Sequence, residues 1–148
     1  MLELEEDKMW LSSKTRYGLK AIYEIGLNAN KKPISLNNIA EKYDISLSYL
    51  EQIIALLKKD KLIKSTRGPH GGYSLAREPS SISVGEIIRS LEGSYAPTDC
   101  VEENDHCYNA TSCVTRSVFK KINDSISQVV NNMTLQDLIN DEKGDENK

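Results

Sequence analysis

No apolar run in these 148 residues approaches the ~20 needed to cross a bilayer as a helix. The first ten residues, MLELEEDKMW, are acidic where a signal peptide would be basic and then apolar, so a cytoplasmic protein with no membrane contact is expected. Cysteine is scarce too. Three residues, an odd number, in a reducing compartment argue against a disulfide framework and for metal or redox chemistry. The sequons at Asn109, Asn123 and Asn132 then carry no weight, because glycosylation needs a secreted chain. There are two histidines, both in expected loops, and no glycine-rich phosphate motif follows a strand. The expectation is a single domain that is not an enzyme.

The net charge of -3 hides an asymmetry. Residues 1–8 have four acids and one lysine and read as an acidic extension without a packing pattern. Residues 9–77 carry twelve Lys and Arg against five Asp and Glu, whereas residues 78–148 carry six against thirteen. A basic first half in an acidic protein implies one face that meets a polyanion.

Hydrophobic spacing predicts a mainly helical chain with one small hairpin. Leu19, Ile22, Tyr23, Ile25 and Leu27 support a first helix that ends in NANKKP. A short helix, LNNIAEKY, follows Ser35, and a third, SLSYLEQIIALLKK, carries Leu50, Ile53, Ile54 and Leu57 on one stripe. Ser48 and Glu51 stand there at capping-box spacing. Runs 62–66 and 73–76 flank the turn RGPHGG, and SVGEIIRSLEG is a further capped helix closed by Gly93. Residues 94–113 lose helical rhythm and hold all the cysteines. Beyond them Val118, Ile122, Ile126, Val129 and Met133 step by three or four, predicting one long amphipathic helix over 114–140 and a polar tail at 141–148.

Two short helices, a tight turn and a hairpin make a winged helix-turn-helix over residues 9–93. In that arrangement the second helix of the pair enters the major groove. Its stripe packs inward, so Ser46, Ser48, Tyr49, Glu51 and Gln52 are left to face DNA. Gln pairs bidentately with adenine, Glu accepts from cytosine N4, and serine reaches base or phosphate. Arg67, Gly68, His70 and Gly71 form the wing, where an arginine can enter a narrow minor groove. Lys14, Arg16, Lys58 and Lys59, with Lys20 and Lys64, are candidate phosphate contacts.

The segments WLSSKTRYGLKAI, ISLSYLEQIIALLKKDKLI, RGPHGGYSLA and ISVGEIIRSLEG closely resemble the Rrf-two family of bacterial transcription regulators over residues 9–93. The resemblance implies a homodimer on double-stranded DNA, with the long carboxy-terminal helix as the dimerisation element. Some members bind an iron–sulfur cluster through three cysteines in the place of Cys100, Cys107 and Cys113. The chain is most similar to members that repress cluster-assembly genes, and nitric-oxide-sensing repressors are close relatives.

Thiolates are the expected ligands of such clusters, and a structural zinc site would ordinarily show a short Cys-x2–4-Cys pair, which is missing here. In the relatives a histidine three residues after the third cysteine, or an acid near the amino terminus, completes the site. This chain has Arg116 and Arg16 there, and a guanidinium offers no lone pair. His106 is a weak candidate for the fourth bond, and Asp99, Glu102, Glu103 and Asp105 are others. A 2Fe–2S cluster is favoured by the resemblance and 4Fe–4S stays open. A zinc-binding adaptor that does not read DNA is the alternative of a different class.

Overall fold

Four helices of this protein start on a hydroxyl that satisfies a backbone N–H three residues on. Ser35 accepts from Asn38, Ser46 from Tyr49, Ser83 from Glu86 and Thr134 from Asp137. Each such cap is worth ~1 kcal/mol. The computed structural model describes residues 11–93 and 114–145, with side chains through Asp141. Along it run α1 (Ser13–Leu27), α2 (Leu36–Tyr43), α3 (Leu47–Lys59), β1 (Ile63–Thr66), β2 (Gly72–Leu75), a 3-10 turn (Pro79–Ser81), α4 (Val84–Glu92), α5 (Val114–Asn132) and α6 (Leu135–Asp145). The stretches assigned above to an acidic extension (1–8) and a cysteine loop (94–113) lie outside the described residues.

Two expectations change here. The cap of α3 is Ser46, whose extended backbone suits the role, while Ser48 is already helical. Glu51 therefore has no place in a capping box. The single helix expected over 114–140 is two helices, and residues 141–145 continue the second rather than form a tail. Thr134 and Asp137 cap each other's backbone N–H groups, at 2.9 and 3.1 Å, and so start a new helix. A short antiparallel bridge then holds the joint against the approach to α4, with Val84 N–H on the Met133 carbonyl and Leu135 N–H on that of Ile82.

The redirected α6 completes the core. Leu135 and Ile139 join Ala21, Ile22 and Ile25 of α1, Leu50, Ile53 and Leu57 of α3 and Ile87 of α4 in one buried cluster. A Cβ on Gly26 would stand 3.2 Å from both Leu135 and Ile139, so glycine permits the close approach of α1 to α6. Smaller packing of Val84 and Ile88 against Ile126 and Val130 seats α5.

The hairpin pairs Ile63 with Leu75 and Thr66 with Gly72. Tyr73 also exchanges both backbone bonds with Ile34, at 3.0 and 2.8 Å, which ties the wing to the residue before the Ser35 cap of α2. A side chain at Gly72 would stand 2.5 Å from the Ile34 carbonyl oxygen and break that rung. Glu24, buried on α1, accepts from Lys42 Nζ and Tyr43 Oη at 2.6 Å each and fixes α2 to α1. Burial, with the Glu24 carboxylate beside it, pushes the Tyr43 phenol up, so it stays a hydrogen-bond donor.

The turn after α3 is strained. Leu62 N–H reaches the Leu57 carbonyl and Lys61 N–H that of Lys58, each at 3.0 Å, which puts Lys61 at φ 60°. Glycine is the usual residue for that conformation. Lys61→Gly is expected to raise stability by about 0.5–1 kcal/mol, after the entropy that glycine adds to the unfolded chain is subtracted. Urea melts measure it.

Two carboxylates make the fold acid-sensitive. For Glu86 burial pushes the pKa up, but bonds from Arg77 and Ser83 outweigh it and hold the group below its ordinary value. For Glu92 burial again pushes up, and Ser12, Thr15 and nearby Lys14 outweigh it. A carboxylate with a depressed folded pKa stabilises fully above its unfolded value, near 4.5, and that contribution drains away as pH falls through the folded value. Thermal melts from pH 6 down to about pH 3 should show Glu92→Gln losing less stability than the parent chain over the acid range.

Candidate nucleic-acid interface

Because α3 buries Leu50, Ile53, Ile54 and Leu57, its opposite side is left to solvent. Ser48, Gln52, Ala55 and Lys59 fall on that side at helical spacing, and all are exposed. Ser46 and Glu51 flank it, also exposed. The predicted reading residues are therefore brought together on one accessible surface, with Glu51 released from any capping duty.

Tyr49 is different. It is half-buried, its ring meets Tyr17 edge to face at 6.2 Å, and its hydroxyl lies 3.0 Å from Ser13 Oγ. Tyr49 thus braces α3 against the first turn of α1, with its hydroxyl held by Ser13. That contact carries Lys14 and Arg16, on the same first turn of α1, to the amino-terminal end of the reading helix. Lys20 sits over the rings of both Tyr17 and Tyr43, at 5.3 and 5.5 Å, adding a cation to the same neighbourhood.

Arg67, Gly68 and His70 project at the exposed end of the hairpin. Gly68 takes φ 108°, and Gly71 N–H closes the turn on the Gly68 carbonyl at 2.9 Å. A Cβ at Gly71 would stand 2.1 Å from the Thr66 carbonyl oxygen, so the tip admits only glycine there. Arg67 follows directly on β1, where it can reach past the turn.

The remaining predicted phosphate contacts divide. Lys59 shares the reading face, whereas Lys58 lines a groove of about 630 Å³ with Lys61, Lys64 and Arg77 beside the base of the wing. Lys61 and Arg77 join that groove although the sequence did not single them out. The dense basic run KKDKLIK signalled the first, but nothing local signalled that Arg77 would return to it.

Cys100, Cys107, Cys113 and His106 lie outside the described residues, so their geometry is not part of the described fold. No cluster of three or more His, Cys, Asp or Glu suited to a metal occurs among the described residues. The donor set itself suits iron–sulfur chemistry: three thiolates within fourteen residues, joined to α4 on one side and α5 on the other. Arg16 and Arg116, which the sequence set apart as unable to donate a fourth bond, are exposed on α1 and half-buried on α5, respectively.

The predicted stripe on α5 is largely exposed among the described residues. Val118 is 56% exposed, Ile122 41%, Val129 57% and Met133 37%, while Ile126 turns toward Val84 and Ile88. No helix among the described residues is long and apolar enough to cross a membrane.

Comparison with known proteins agrees with this geometry. The family model described as "Rrf2: Iron-dependent Transcriptional regulator" matches residues 11–141. The HTH-type transcriptional regulator IscR of Escherichia coli strain K12 is 38% identical over 135 residues, covering 91% of this chain and 83% of that protein. Among solved structures, IscR of T. potens superposes with a TM-score of 0.73 at 42% identity, over 88% of this chain and 86% of that one. CymR, the global cysteine regulator of B. subtilis, does so with a TM-score of 0.72 at 38% identity, over 86% and 93%. With its helix pair, its wing and its exposed reading face, the chain is an IscR-like DNA-binding transcription regulator and belongs to the Rrf2 family.

Proposed function

We propose that this protein is a homodimeric repressor whose occupancy of DNA follows the state of an iron–sulfur cluster, with cluster-assembly genes among its targets. The observation that carries the reading is the placement of Cys100, Cys107 and Cys113 in the segment that joins α4 to α5. Similarity of fold alone does not choose the signal, since both an IscR and a cysteine regulator share it. Three thiols between a DNA-reading head and an apolar helix face favour an iron–sulfur signal.

The thiolates of the three cysteines would hold the cluster, which supplies a site sensitive to oxidant and to iron supply. A 2Fe–2S centre is the favoured form. Arg116 and Arg16 cannot donate, so the fourth bond falls to His106, a neighbouring carboxylate or a small molecule. A site not fully held by cysteine is labile, as a sensor requires. The exposed stripe of α5 pairs two copies, and the spacing between their heads changes with the cluster.

Anaerobic purification with counts of iron, sulfide and zinc tests the first half. The expected result is coloured protein whose visible absorption vanishes in Cys107→Ala. A colourless, zinc-loaded chain after anaerobic reconstitution would mean the adaptor alternative instead. For the second half, Gln52→Ala should weaken operator binding by ~1–3 kcal/mol and relax preference at one base pair. An unchanged sequence preference would remove Gln52 from the reading face.

A further inference from the structure

The first turn of α1 breaks a local rule that the other capped helices obey. Ser12 has the extended backbone of an N-cap, yet its side chain caps nothing in its own helix. Its hydroxyl donates instead to Glu92, the last residue of α4. Glu92 Oε1 also accepts from Ser12 N–H at 2.8 Å and from the buried Thr15 hydroxyl at 2.6 Å. The carboxylate of α4 thus serves as the anion at the amino end of α1, where the helix dipole favours it. At the end of its own helix the same charge is unfavourable, since the carboxy-terminal turn prefers cations. Two local preferences are given up for one tertiary clasp.

What the clasp connects is informative. Glu92 is followed by Gly93, which ends α4 with its N–H on the Arg89 carbonyl, and then by the cysteine-bearing segment. On the other side of the same α1 turn, Ser13 meets the Tyr49 hydroxyl and Tyr17 packs on its ring. Tyr49 belongs to the first turn of the reading helix, its N–H held by the Ser46 cap.

We propose that Glu92 is a positioning residue for DNA reading: through Ser12 and Thr15 it sets the first turn of α1, and through Ser13 that turn sets Tyr49. A change in the segment after Gly93 then reaches the DNA face by a route of two hydrogen-bonded contacts. The second half of this statement rests on the cluster reading above. The first half does not.

The test is operator binding by the full-length chain carrying Glu92→Gln, Tyr49→Phe or both, with Ser12→Ala as a second break of the clasp and thermal melts to set a temperature where all are folded. The expected result is non-additivity, with the double variant departing from the product of the single effects by about fivefold or more. Effects that multiply to within about twofold would overturn the positioning role, and so would Glu92→Gln binding like the parent chain. Holo and apo forms then divide the two halves. The parent chain should change its operator affinity on loading, while Glu92→Gln should absorb visible light as strongly and change its affinity little. A full change in Glu92→Gln would overturn the link to the cysteine segment. Should the parent chain take up no iron and sulfide, the cluster reading and that link fall together, and the cycle still decides the link between Glu92 and Tyr49.

Discussion

A chain carrying Ile122→Glu and Val129→Glu is expected to run as a folded monomer and to lose about 100-fold or more of its operator affinity. Ile122 and Val129 stand 41% and 57% exposed, and among the described residues neither belongs to the buried clusters. Charges there leave the single chain's core intact. They fall instead on the surface where a second copy would bury Val118, Ile122, Val129 and Met133. Two charged side chains per subunit at that seam would be taken out of water without partners, at a cost of several kcal/mol. Two reading heads held together bind two half-sites with an effective concentration that separate heads lack, hence the large loss on DNA. Sedimentation gives the mass and a duplex titration gives the affinity. A variant that keeps the dimer mass would remove α5 from the interface.

Leu135→Ala is expected to cost about 2–5 kcal/mol of stability, the ordinary loss for a fully buried leucine whose cavity collapses only in part. Leu135 is 0% exposed and lies in the same cluster as Ala21, Ile22, Ile25 and Ile139. Its N–H also holds the bridge to Ile82 at 2.9 Å, which survives the substitution. The loss therefore reports packing alone. Denaturant melts check it, and because α6 closes the same core that supports α3, DNA affinity should fall at temperatures where the variant begins to open. A loss under about 1 kcal/mol would show that α6 is an accessory to the head rather than part of its core.

The DNA-reading half was legible because its signals are local. Leu50, Ile53, Ile54 and Leu57 define a stripe by spacing alone, and the stripe fixes which side of α3 is left for Ser48 and Gln52. The Ser83 and Glu86 box and the glycine at 93 mark both ends of α4 in the same way. Even the start of α6 was written at Thr134 and Asp137, in capping-box spacing, but the run of apolar steps from Val118 to Met133 masked it. Periodicity says that a helix face is apolar and does not say whether one helix or two carries it.

The amino-acid sequence by itself determined the helix-and-wing order, the side of α3 left exposed and the apolar stripe of α5, because each follows from the period of a helix or from a turn's demand for glycine. Only the tertiary structure decided that α6 folds back under α1, that Lys58 and Arg77 share one groove, and that Ser12 gives up its own cap to Glu92. Those three are contacts between residues far apart in the chain, where the winning partner is set by packing and not by local propensity.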